Sequence, residues 1–234
     1  MPIIDLCRAG PTEADWATVC DQLRPVVLPP CRRVVVVSPH PDDETFGCGG
    51  LIATAAARGL PVTVFSVTRG EAASDLPHLA DIRARELAAA LTCLDPTGSI
   101  RCRQLGFDDG AVRNDIAALT DVIEDDIDEH DLIVCPVSDD GHPDHDAVSL
   151  ASTCAAARTG AAVRWFAVWA WHCHDPRRSI IGAGERLDLD VAAQRKKSLA
   201  VELRPEALDG VDPVVPHWML VRLCRPFEVL VTPR

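Results

Sequence analysis

Residues 33–50 read RVVVVSPHPDDETFGCGG, and the fold turns on how that stretch is read. Val34 to Val37 is an unbroken β-branched run, the pattern of a strand buried on both faces. It empties into a segment stiffened by Pro39 and Pro41 and loaded with His40, Asp42, Asp43 and Glu44. An Ala-rich helix over 49–58 follows, and Gly59 supplies its exit. Working outward, the same alternation recurs. Strands are expected at 62–67, 100–105, 132–137 and 163–169, with helices at 79–91, 112–129 and 147–157. Strands alternating with helices imply right-handed crossovers and a mainly parallel sheet. The expected fold is therefore α/β: one Rossmann-like domain over residues 31–234, its sheet flanked by helices. Residues 1–30 read as an N-terminal helical extension, broken by Pro25, Pro29 and Pro30. The last sixty residues are less regular, with a charged helix at 191–201, a Pro-rich stretch, and strands expected at 218–224 and 227–231.

Composition narrows the partners. The 234 residues carry 23 Lys and Arg against 35 Asp and Glu, a net charge of −12. That balance argues against nucleic acid or an anionic membrane surface. Seven of the acids fall between Asp121 and Asp131, where they read as the solvated face of a helix. No apolar run approaches the ~20 residues of a membrane span. Ten cysteines are present without a CxxC pair, so a thiolate zinc cage is not indicated. Most lie in apolar runs, as small hydrophobes do. With no signal peptide in evidence, reduced thiols predict a cytoplasmic protein.

Two chemistry-bearing clusters stand at strand ends. SPHPDDE (38–44) follows the first central strand and SDDGHPDHD (138–146) follows the fourth. In an open α/β sheet, ligands bind beyond the carboxyl ends of the strands. Imidazole and carboxylate together suit a borderline divalent metal. A catalytic site needs three such ligands and an open position, leaving a carboxylate as base and an imidazole as acid. Helix capping and loop polarity explain either cluster alone; the pair favours a metal centre.

SPHPDDETFGCGG, with GHPDH about a hundred residues later, resembles the PIG-L/LmbE-like metal-dependent deacetylases. The resemblance covers roughly residues 32–172, and further matches are VTRGEAAS (67–74), RARELAAAL (83–91), LGFDDG (105–110) and WAWH (169–172). It implies a hydrolase that removes an acetyl group from the nitrogen of an amino sugar such as an N-acetylglucosamine conjugate. It implies Zn2+, or another divalent cation, held by His40, Asp43 and His145. Asp42 would be the general base, and a protonated His142 would steady the oxyanion and protonate the leaving amine. Arg83 and Asp109 would hold sugar hydroxyls, with Asp108 a rival for Asp109 and pairing with Glu86 the alternative for Arg83. The chain departs from many relatives after Lys197, where Val201-Glu202-Leu203-Arg204-Pro205 replaces a His-x-Ser-Gln segment. The implied partner is a small-molecule amino sugar, with oligomeric state unread. A metal phosphoesterase and a non-catalytic sugar-binding relative are the alternatives. A dinucleotide oxidoreductase is disfavoured, because Gly47-Cys48-Gly49-Gly50 lacks the GxGxxG spacing.

Overall fold

The computed structural model describes residues 10–204, 215 and 217–233. The elements run α1 (Glu13–Cys20), β1 (Arg24–Pro25), β2 (Arg33–Ser38), α2 (Asp43–Ala57), β3 (Val62–Ser66), α3 (Leu79–Leu94) and β4 (Arg101–Gln104). They continue through α4 (Ile116–Glu124), β5 (Asp131–Pro136), α5 (Pro143–Thr159), β6 (Ala162–Phe166) and α6 (Ala170–Cys173). The last are β7 (Glu185–Asp188), α7 (Val191–Glu202), α8 (His217–Leu223) and β8 (Phe227–Leu230). Five strands form one parallel sheet in the order β4-β3-β2-β5-β6. The valines of β2 are wholly buried at its centre, as their branching requires. From β2 the chain moves outward through β3 to β4, then returns to place β5 on the other side of β2. The carboxyl ends of β2 and β5 therefore flank the point where the winding reverses, the natural crevice of such a sheet.

Several boundaries differ from the sequence expectation. Helix α2 begins at Asp43, six residues before the expected start, and it is kinked at Cys48, whose φ of −145° and ψ of 24° are non-helical. The kink frees backbone amides from the helical ladder. Gly50 N and Leu51 N donate instead to the carboxylate of Glu228, at 2.7 and 2.8 Å, and Lys197 Nζ balances that buried charge at 2.7 Å. The glycines of this motif serve close packing rather than phosphate binding. A Cβ on Gly47 would lie 2.1 Å from the Phe166 ring, and one on Gly50 would lie 2.4 Å from Leu189.

Helix α5 starts at Pro143, four residues before the expected boundary, because proline suits the first helical turn and His142 Nδ1 caps it by accepting from Asp144 N at 3.2 Å. The helix expected over 112–129 divides into a 3-10 turn at Val112–Asn114 and α4. Residues 217–223 are helical rather than extended. Met219 and Leu223, four apart, share the buried side while Val221 is exposed, and a short apolar run cannot announce that choice by periodicity. Strand β8 pairs antiparallel with β7 in a separate three-stranded sheet. It joins the main sheet's edge through an isolated Trp165–Val231 bridge.

Helix α1 is tied to the domain. Trp16 is fully buried, its ring meets Trp171 edge-on at 4.8 Å, and its Nε1 donates to Trp171 O at 2.8 Å. Trp16 and Trp171 are thus packing residues. The nine cysteines among the described residues are unpaired; Cys7 and the Pro-rich stretch at 205–214 lie outside those residues. The acidic face near α4 is engaged in ion pairs, Arg158 with Asp121 and Glu124, and Arg33 with Asp126 and Asp131.

Candidate metal centre

The turn after β2 and the first turn of α5 bring three donors together. Asp43 Oδ2 lies 3.0 Å from His40 Nδ1 and 3.1 Å from His145 Nε2. A cation held ~2.0–2.2 Å from each donor spaces its ligands about 3–3.5 Å apart, so the set fits one ion. The chemistry of one atom strengthens the fit. His145 Nε2 is buried with no hydrogen-bond partner, since the Asp43 contact lacks hydrogen-bond geometry. An orphaned imidazole nitrogen aimed at a carboxylate is costly unless a metal takes its lone pair. His40 and Asp43 are three residues apart in the chain, whereas His145 is brought to them by the pairing of β2 with β5.

Electrostatics agree. Burial pushes the His145 imidazole down, but Asp43 and Asp140 outweigh it and raise the ring to about 9. Without a cation the carboxylates hold a proton there, and a metal ion would displace it.

Asp140 is the residue that sequence reasoning passed over. Its Oδ2 lies 2.7 Å from His145 Nδ1. The same carboxylate accepts from Val168 N, Trp169 N and Ala170 N at 2.9–3.1 Å. It therefore fixes the tautomer that turns Nε2 toward the donors and ties the loop after β6 to the centre. The available signal was conformational. Asp139 at φ 65° and Gly141 at φ 99° bracket Asp140 in a turn, and glycine is at ease in that region. Replacing Asp140 by Asn is expected to weaken metal binding about 10–100-fold, read by competition with a chromophoric chelator. Unchanged affinity would remove Asp140 from the site.

The remaining expected residues surround the same point. Arg83, buried on α3, donates to Asp42 Oδ2 at 2.5 Å and to Gly70 O at 3.2 Å. Gly70 has φ 67°, and a Cβ there would strike the guanidinium at 2.1 Å. Asp109 Oδ1 lies 3.2 Å from His40 Nε2, and its Oδ2 accepts from Ala72 N at 2.8 Å; Asp108 is exposed. Both residues expected on sugar hydroxyls are thus turned toward Asp42 and His40. Asp144 stands 3.3 Å from His40 Nε2 and accepts from Gly110 N and Val112 N, stitching the loop after β4 to α5. His142 sits with ring centres 4.9 Å from His40 and 5.2 Å from His145. Burial and the two neighbouring imidazoles push His142 down to about 4. Its Nδ1 accepts from Asp144 N, which leaves the proton of the uncharged ring on Nε2. That ring nitrogen therefore faces the space beside the His40 and His145 rings.

Residues 35–156 match the PIG-L family model, described as GlcNAc-PI de-N-acetylase. The chain belongs to the PIG-L family. Among PIG-L relatives, a probable N-acetyl-alpha-D-glucosaminyl L-malate deacetylase 2 of Bacillus subtilis (strain 168) is 36% identical over 128 residues, which cover 50% of this chain and 57% of that protein. The chain thus spans little more than half the length of that relative. The crystal structure of the A40926 pseudoaglycone deacetylase Dbv21 superposes with a TM-score of 0.67 at 25% identity, covering 86% of this chain and 96% of the other. The 4-carboxy-2-hydroxymuconate hydratase GalB of Pseudomonas putida KT2440 superposes with a TM-score of 0.61 at 20% identity, covering 86% and 97%. A hydratase with this fold means that the PIG-L architecture alone does not choose the reaction. Among the described residues, no helix is long and apolar enough to cross a membrane.

Proposed function

We propose that this chain is a zinc-dependent N-deacetylase acting on the acetamide of a small amino-sugar conjugate. The observation that carries the reading is the His40, Asp43 and His145 donor set, with Asp42 next in the chain and His142 beside both ligating rings. Two nitrogens and one carboxylate form a three-ligand catalytic set of the kind zinc accepts. When bound, the cation supplies a Lewis acid that polarises the amide carbonyl and makes water a stronger acid.

The chain's own residues do the rest. Asp42, oriented by Arg83, accepts a proton from the attacking water as the new C–O bond forms. His142 donates its Nε2–H to the carbonyl oxygen as negative charge develops there. The C–N bond then breaks, and the proton held by Asp42 passes to the amine nitrogen, releasing acetate and the free amino sugar. The phosphoesterase alternative has less support, because the guanidinium of Arg83 is tied to Asp42 and Gly70 O rather than presented to a phosphate.

The test is amine release from N-acetylglucosamine and from its malate and inositol conjugates, alongside a phosphate monoester. Amide turnover should vanish with a chelator and return with Zn2+. Turnover of the phosphate ester alone, or of nothing after zinc loading, would sink the reading.

A further inference from the structure

We propose that Arg204 is a positioning residue for this centre, holding the metal-binding turn from behind through its buried pair with Glu44. The inference rests on the deacetylase reading for its kinetic consequence, but not for its effect on metal affinity.

Arg204 lies two residues past the end of α7, far from the motifs in sequence, yet its side chain is fully buried, as is Glu44. Its Nη1 donates to Pro41 O at 2.7 Å and its Nη2 to Thr45 Oγ1 at 2.9 Å. Nη2 also donates to Glu44 Oε1. These acceptors bracket Asp42 and Asp43, the proposed base and a metal ligand, on both sides. The tie extends further through Glu44. Its carboxylate accepts from Thr45 Oγ1 at 2.6 Å and stands 3.1 Å from Ser38 Oγ. Ser38 Oγ in turn donates to His40 O at 2.7 Å. One guanidinium therefore braces the backbone from Ser38 to Thr45.

A pair serving stability alone has no need of this pattern, because well-packed apolar side chains replace a buried ion pair at little or no cost. The planar fork sets two separate nitrogens on a carbonyl, a hydroxyl and a carboxylate, where a lysine ammonium would offer a single point charge. Lys197, on α7 itself, secures the kink of α2 through Glu228. Helix α7 thus pins α2 at its kink, and Arg204 pins the catalytic turn that precedes it. An error of about 1 Å in such a turn costs on the order of 10² in rate.

The test compares Arg204→Met and Arg204→Lys with the unmodified chain, and Arg204→Met with the double variant that adds Glu44→Gln. Zinc dissociation constants come from chelator competition, kcat and KM from amine release, and folding from circular dichroism. Arg204→Met is expected to weaken zinc binding and lower kcat by about 10–100-fold each, with KM within about twofold of the unmodified chain's, because the substrate is not touched. Arg204→Lys should recover part of both losses, since it keeps the charge without the fork. Adding Glu44→Gln should cost little more, because the two residues act as a unit. A folded Arg204→Met with unchanged zinc affinity and kcat, or with a change in KM alone, overturns the proposal. If that variant does not fold, Arg204→Lys decides by the same quantities. Should the unmodified chain turn over no amide, the deacetylase reading fails, while the zinc comparison still tests Arg204.

Discussion

Replacing Asp42 by Asn is expected to lower kcat by about 10²–10⁴-fold, the span associated with a positioned general base, while the protein keeps its zinc. The substitution preserves shape and removes the proton acceptor. Asp42 is outside the three-donor set, so metal content by elemental analysis should not change. There is a structural side effect. Arg83 is buried and directs its Nη2 at Asp42, so the variant leaves a buried guanidinium facing a neutral amide. Removing one partner of such a pair costs about 3–5 kcal/mol in the severe case, and thermal unfolding should shift downward. Kinetics must therefore be measured well below the new midpoint. A folded, zinc-loaded Asp42→Asn with near-normal kcat would transfer the base function to another group.

His145→Ala should act on the opposite quantity. Its Nε2 is the orphaned buried atom of the donor set, and removing a ligand must exceed the ~10–100-fold loss expected for a residue in the supporting layer. The expected result is near-zero zinc after dialysis, against one equivalent for the unmodified chain. The cavity, and the loss of one of the four partners of the Asp140 carboxylate, will also destabilise the protein around the loop after β6. Retention of one equivalent with undiminished affinity would remove His145 from the ligand set. The two variants separate chemistry from metal binding: one keeps the ion and loses the rate, the other loses both.

The parallel sheet and the two imidazole–carboxylate clusters at its strand ends were readable from the chain because their signals are local. A β-branched run of four announces a buried strand, and His40 precedes Asp43, as His142 precedes His145, by three residues where a strand end leads into a helix. Boundaries were less readable. The extended start of α2 depends on Glu228 satisfying amides that the kink at Cys48 releases, and nothing near Cys48 specifies that partner. The run before Cys224 forms a helix because Met219 and Leu223 find the core, while Arg222 reaches Trp171 O at 2.9 Å.

Local sequence, then, dictates which strand ends present imidazoles and carboxylates, since a buried β-branched run and the polar turn that follows it are contiguous in the chain. Their protonation, orientation and support are decided by residues from other elements. Arg83 reaches Asp42 across 41 positions and Arg204 reaches Glu44 across 160. Asp140 orients His145 while holding amides 28 to 30 residues further on. Charge and hydrogen-bond geometry act over a few ångströms of space and are indifferent to distance along the chain, so only the packed structure could assign these partners.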